Sequence, residues 1–300
     1  MRDLRAILER VKQDRTSGAS ETFNYVLDDL IELIDSDVAP SEAEWSEFAI
    51  SLYWSRRAMA SLFWLSNTIL LAVERHASVG SIRNQLENLK LKEKGANERI
   101  SSDFCRTANA DRILTISHSG TVSRAILALS QERTVEVVVM ESLPGGEGVH
   151  TAKALSEGNV QVEVIPDSMV FAVMKDCDLA VCGADAIDQE AVVNKVGTYS
   201  MAMAAREMGK KCIVLASSSK CVPSRSEEVM GAGSLRDGLP FYAQVFEPVP
   251  LGCFDLAITD LGVLKPSQLA ESISGPELAD EWFAKGILAA KWLSQSKSVR

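Results

Sequence analysis

Cys182-Gly183-Ala184-Asp185-Ala186-Ile187, followed by Asn194-Lys195-Val196-Gly197-Thr198, brings a carboxylate, an amide and an ammonium close behind one apolar run, Leu179-Ala180-Val181. A carboxylate just past a buried parallel strand stands where open α/β sheets place their ligands. Lys195 precedes a helix-period stripe, Met201, Ala204, Ala205 and Met208, and could meet an anion held by free backbone N–H donors at the helix start. A turn or cap role for Asp185 and a solvated role for Lys195 fit this stretch as well. Ser117-His118-Ser119-Gly120 could hold a phosphate at a second helix start, or cap that helix. The adjacent Ser117 and His118 are not a nucleophile–base pair. Gly145, Gly146 and Gly148 lack both the dinucleotide fingerprint and the Walker lysine. Arg57 heads an apolar helical segment as a salt-bridge partner or a phosphate clamp, and Lys220 ends the polar run Ser217-Ser218-Ser219-Lys220. Together these groups point to a pocket for a phosphorylated, hydroxyl-rich small molecule.

Two kinds of scaffold must position them. Up to about residue 100 the apolar residues recur at helical spacing. Leu4, Ile7, Leu8 and Val11 form one stripe, and Leu27, Leu30, Ile31 and Ile34 a second after a polar break over 14–21. Leu62, Leu65, Ile69 and Ala72 belong to a segment apolar on most sides, which predicts a helix buried among others. Residues 79–99 are more charged and predict a solvated helix with Leu86, Leu89 and Leu91 inward. From residue 111 the period changes. Short β-like runs over 113–116, 135–140, 160–165, 179–182, 212–216 and 257–259 alternate with helical segments, with Asp167 placed to cap one of them. Alternating βα units mean a parallel sheet covered on both faces. The expected architecture is α/β: a helical N-terminal domain over 1–105, then a Rossmann-like parallel-sheet domain over 106–300. Loops 117–120, 141–148, 183–188 and 217–221 would converge on one crevice.

The totals bound the function. The chain has 300 residues, enough for a large core in one or two domains. Its net charge of −10 argues against direct nucleic-acid binding, which rests on clustered cations. Met1–Arg5 runs into an amphipathic helix without a signal pattern, and the apolar stretch 58–73 is too short to span a membrane. Six scattered cysteines without a CxxC pair read as free thiols of a cytoplasmic protein. With only three histidines and no ligand spacing, neither a metal nor another cofactor is expected.

The pair GADAI and NKVGT resembles the signature of the superfamily that contains ribose-1,5-bisphosphate isomerase and methylthioribose-1-phosphate isomerase. The α, β and δ subunits of translation initiation factor 2B belong to it too. The likeness extends through 113–119, through Glu141, Pro144 and Gly148, and through Phe246–Pro250 and Ile258–Gly262. Ser17-Gly18-Ala19 and Arg57-Ala58-Met59-Ala60 sit where that family has a GA motif and an arginine-led helix. The resemblance implies a site between the two domains and dimers or larger homo-oligomers formed through the C-terminal domain. It also implies aldose–ketose isomerisation of a phosphorylated pentose. Asp185 and Ser117 stand at the catalytic positions, and Arg57, Gly18, Ala19, Ser119, Glu147, Asn194 and Lys195 at substrate-binding ones. The alternative is a non-catalytic initiation-factor-like subunit that binds a nucleotide or sugar phosphate and works through a protein partner.

The sequence departs from the isomerase pattern. Ser117 occupies the place of the catalytic cysteine and is a far weaker acid at neutral pH. Leu143 replaces an arginine between Glu141 and Pro144, Ser17 stands where the RGA motif has its arginine, and the interval from Asp185 to Asn194 is one residue shorter.

Overall fold

The N-terminal stripes fold as helices α1 (Leu4–Gln13), α2 (Ala19–Asp35), α3 (Glu42–Ser55), α4 (Ala60–Glu74) and α5 (Val79–Thr107). The computed structural model describes residues 3–14, 16–36, 40–222, 232–236, 239–273 and 277–288. Polar side chains start three of these helices. Asp3 accepts from the Ala6 N–H at 2.7 Å, Ser41 and Glu44 form a reciprocal capping box, and Ser78 accepts from the Ser81 N–H. Helix α2 begins inside the polar break, at Ala19, with Gly18 as a cap that has no side chain to offer. Helix α4 is buried around most of its circumference, as its composition requires.

In α5 the inward stripe is Ile82, Leu86, Glu93, Ala96, Asn97, Ile100 and Phe104. Leu89 is partly buried against the helical core, but Leu91 is exposed. The inward expectation for Leu91 is therefore corrected: a helix repeats every 3.6 residues, so Leu91 points away from the face that Leu86 and Leu89 define. A glutamate and an asparagine complete that face.

The α/β unit contains β1 (Arg112–Ile116), α6 (Gly120–Glu132), β2 (Glu136–Met140), α7 (Gly148–Glu157), β3 (Gln161–Ile165), α8 (Val170–Met174) and β4 (Leu179–Cys182). Then follow β5 (Ala186–Ile187), β6 (Ala191–Lys195), α9 (Thr198–Glu207), β7 (Lys211–Leu215), β8 (Ala232–Arg236), β9 (Leu239–Ala243) and β10 (Phe246–Pro250). The described chain ends with β11 (Leu256–Thr259), β12 (Gly262–Leu264), α10 (Pro266–Ser272) and α11 (Glu281–Ala284).

The main sheet runs β3-β2-β1-β4-β7-β11, all parallel, with β12 antiparallel at the edge. Counting its parallel strands along the chain, this is the 3-2-1-4-5-6 order of doubly wound sheets, which reverses direction between β1 and β4. Side chains alternate across it. Leu114, Ile116, Val138 and Met140 pack with α8, α9 and α10, whereas Ile113, Val137 and Val139 pack with α6, α7 and the end of α5.

Beyond the antiparallel strands β8, β9 and β12, other features were not anticipated. Residues 186–195 form an antiparallel hairpin, β5–β6, which β10 extends. Its turn is closed by Asp188, whose carboxylate accepts from the Glu190 and Ala191 N–H groups. Residues 277–288 return to the helical core. Trp282 is buried against Tyr53 and Phe63, with ring centroids at 5.2 and 5.3 Å. Asn67 of α4 anchors this segment, accepting from the Ala279 N–H at 3.0 Å and Trp282 Nε1 at 2.9 Å and donating to the Glu277 carbonyl at 2.9 Å. Asp167 does not cap a helix either. Its carboxylate accepts from the Ser142 and Leu143 N–H groups and fixes the loop after β2.

No helix among the described residues is long and apolar enough to cross a membrane. The cysteines are free thiols, and no cluster of His, Cys, Asp or Glu among the described residues is arranged to hold a metal ion.

Candidate functional site

The loops after β1, β2, β4 and β7 meet the helical domain around a cavity of about 100 Å³ at the reversal point of the sheet. Two helix N-termini face it, one from each domain: Gly18, Ala19 and Ser20 of α2, and Ser119, Gly120 and Thr121 of α6. The first N–H groups of a helix have no intrahelical acceptor and carry the positive end of its dipole, so both ends favour an anion. The loop after β1 is closely packed from two sides: a Cβ on Gly18, ahead of α2, would stand 2.4 Å from the His118 carbonyl oxygen, and one on Gly183, after β4, 2.5 Å from Ser119 Oγ. Either glycine could carry a side chain only if the two loops moved apart.

Ser117 has φ of +69°, uncommon for a residue with a side chain. The loop is pinned there on both sides. The Ser117 N–H donates to Ser142 Oγ at 2.8 Å, and its carbonyl accepts from Thr151 Oγ1 at 2.8 Å. Ser119 caps α6 by accepting from the Val122 N–H.

Asp185 is partly accessible, and its backbone is held twice: its N–H donates to the Val193 carbonyl, and its carbonyl accepts from the Ala60 N–H of α4. Burial raises the pKa of its carboxyl and the ammonium of Lys220 opposes the rise. Glu147 adds to it and Lys195 opposes again, leaving the value up at about 6.

Lys220, 2% exposed, lies on the same wall and donates to Ser61 Oγ of α4 at 3.2 Å. Burial lowers its pKa, against the pull of the Glu93 and Asp185 carboxylates. Glu93 comes from the inward face of α5 and accepts from Ser217 Oγ at 3.0 Å and Ser219 Oγ at 3.0 Å. Lys220 is thus a buried cation in the electrostatic field of two carboxylates, tied to α4 through Ser61.

Lys195 is 1% exposed and lies behind the wall rather than on it, its Nζ donating to Glu147 Oε1 at 2.8 Å and Oε2 at 3.0 Å. The free helix start expected after Lys195 is filled by the chain itself, because Glu247 Oε1 accepts from the Gly197 and Tyr199 N–H groups, each at 2.8 Å. A carboxylate already sits at that nest. Asn194 is buried on the cavity wall and donates to Thr198 Oγ1 at 2.9 Å.

Of the sequence-derived residues, Gly18, Ala19, Ser117, Ser119, Glu147, Asp185 and Asn194 therefore come together around the cavity. Arg57 does not reach the wall; its guanidinium lies 4.4 Å over the ring of Trp54. Its neighbour Arg56 lines the cavity instead, because α3 ends at Arg56 and the chain turns there. Sequence reasoning saw Lys220 only as a loop end and passed over Glu93. The available signal was a glutamate on the inward stripe of α5. Cys221 does not replace the missing thiol: burial pushes its pKa up to about 12, where little reactive thiolate exists.

Fold and cavity together define an α/β protein with an anion-favouring cleft between a helical domain and the carboxyl edge of a doubly wound sheet. The chain belongs to the initiation factor 2 subunit family, whose model matches residues 6–266. An "eIF-2B subunit 2-like" protein of Pyrococcus furiosus is 29% identical over 266 residues, covering 87% of this chain and 95% of that one. Ribose 1,5-bisphosphate isomerase of Haloferax volcanii is 30% identical over 196 residues, covering 59% of this chain and 61% of the enzyme. Among solved structures, translation initiation factor eIF-2B of Pyrococcus horikoshii OT3 has a TM-score of 0.80 at 24% identity, covering 89% of this chain and 98% of that chain. 5-Methylthioribose 1-phosphate isomerase of the same organism has a TM-score of 0.69 at 20% identity, with 90% and 87% covered.

Proposed function

We propose that the cleft binds a phosphorylated, hydroxyl-rich small molecule and that Asp185 moves a proton on it, as in aldose–ketose isomerisation of a phosphorylated pentose. The observation that carries this reading is a carboxyl lifted to about 6 beside a buried ammonium, facing two helix N-termini. A carboxyl with that pKa accepts and returns a proton near neutral pH, which suits transfer between neighbouring carbons. In this reading Lys220 and the Ser117 hydroxyl polarise the substrate oxygens. The N-termini of α2 and α6 take phosphate, with Ser119 at the cap, and Asn194 offers its amide to hydroxyl groups. Arg56 stands on the wall where Arg57 was expected. Kinship with ribose 1,5-bisphosphate isomerase and methylthioribose-1-phosphate isomerase supports the substrate class.

Ligand binding is the first test. Calorimetric titration with ribose 1,5-bisphosphate or ribose 5-phosphate should show saturable binding, weakened at least tenfold by Lys220→Met. Binding of neither sugar phosphate would remove the reading.

A second reading has its own support. Ser117 supplies no thiol, and the relative matched over most of both chains carries an initiation-factor name. A subunit of that kind would bind a nucleotide or sugar phosphate in the same cleft without turnover, show ligand-dependent thermal stabilisation and co-purify with a protein partner. Under either reading the chain self-associates through its C-terminal domain. Val164 on edge strand β3 and Met169 and Phe171 beyond it are exposed apolar side chains. Light scattering should give at least twice the chain mass of 32.6 kDa, and a monomer at micromolar concentration would contradict this.

A further inference from the structure

Thr16, Ser17 and Gly18 form the part of the cleft wall that lies ahead of α2, and their placement is set by one side chain. Helix α1 ends at Asp14, whose backbone is extended, so nothing in the helix itself directs the chain onward. The Asp14 carboxylate does. Its Oδ1 accepts from the Thr16 N–H at 3.0 Å, the Ser17 N–H at 3.0 Å and the Thr16 hydroxyl at 3.4 Å. This folds the chain back on itself as an Asx turn. The guanidinium of Arg56 locks the same turn from α3, donating to the carbonyls of Val11, at 3.1 Å, and Asp14. These belong to the last turn of α1, where a cation complements the helix dipole. The turn delivers Thr16, Ser17 and Gly18 to the cavity wall, and Gly18 opens α2 without a capping side chain. The N–H groups at that helix start are therefore aimed by the turn rather than by a cap of their own.

We propose that Asp14 is a positioning residue of the cleft: by fixing Thr16 and Ser17 it presents the N-terminus of α2 to the bound anion, with Arg56 as its lock. This rests on the reading of the cleft as a phosphate-binding site. It assigns Arg56, a cleft arginine, to the loop rather than to the ligand. Burial of the Asp14 carboxyl raises its pKa, but the Ser17 and Thr16 N–H donors outweigh that and hold it at about 2. The carboxylate is therefore ionised, and holds the turn, at every physiological pH.

The geometry separates acceptor from charge. Asn at position 14 keeps an Oδ1 acceptor for the two N–H groups, whereas Ala removes it. Hydrogen exchange of the full chain, read on peptides spanning 14–22, should be at least tenfold faster in Asp14→Ala than in wild type. In Asp14→Asn it should return to within about threefold. Titration with ribose 1,5-bisphosphate, ribose 5-phosphate and inorganic phosphate should show affinity at least tenfold weaker in Asp14→Ala, restored in Asp14→Asn. Unchanged exchange in Asp14→Ala overturns Asp14's hold on the turn, and faster exchange with unchanged affinity overturns its role in presenting α2. If wild type binds none of the three probes, the reading of the cleft fails, while the exchange comparison still decides whether Asp14 fixes the loop.

Discussion

Glu147→Ala will lose about 3–5 kcal/mol of stability at neutral pH, because it leaves the Lys195 ammonium buried without its partner. The pair is close, at 2.8 Å, and Lys195 is 1% exposed against 17% for Glu147, so solvent cannot replace the lost carboxylate. The cost comes from the stranded charge and not from a large net worth of the pair. Glu147→Ala combined with Lys195→Met should therefore recover much of the loss. Inorganic phosphate should stabilise Glu147→Ala more than wild type, since it can bring negative charge to the vacated place. Urea unfolding with and without phosphate reads all three effects. A single variant less than about 1 kcal/mol below wild type would mean that Lys195 has another source of compensation.

Asp185→Asn should be more stable than wild type above pH 6. The folded-state pKa of Asp185, about 6, lies above its ordinary value of 3.8. The protonated carboxyl is thus the form that suits the fold. Its contribution is fully present below about pH 4 and is lost as pH rises through 6. The difference of roughly two units corresponds to about 3 kcal/mol. Asn mimics the neutral form, so its advantage should grow between pH 4 and 7 and vanish in acid. Thermal unfolding of both proteins across pH 4–8 tests this. An Asp185→Asn variant no more stable than wild type at pH 7.5 would show that Lys220 fully compensates the carboxylate. A group held in a state that costs stability is what a proton-transfer site requires.

Much of this was legible before the structure. The six parallel strands of the main sheet and the convergence of their loops follow from short β-branched runs ending in polar or glycine-bearing segments, continuous apolar traces in the buried strands and alternation at edge strand β3; the antiparallel β12 does not. The buried helix over 60–74 was visible for the same reason. What escaped is nonlocal. The two-residue strand Ala186–Ile187 is too short to show alternation. Glu247 reaches the start of α9 from a distant strand, Glu147 reaches Lys195 from another loop, and Glu93 reaches Ser217 from the helical domain. Such pairings depend on the tertiary fold, and nothing in local spacing reports them. The choice between Arg56 and Arg57 turned on where α3 stops, a matter of one residue.

Proton transfer by Asp185 on a sugar phosphate can be followed by carbon NMR of ribose 1,5-bisphosphate turnover. Wild type should form the ketose, with activity rising as Asp185 ionises through about pH 6, and Asp185→Asn should be at least a hundredfold slower. Wild type that binds the sugar phosphate yet forms no ketose, or an Asp185→Asn variant that matches it in rate, would rule out this role for Asp185.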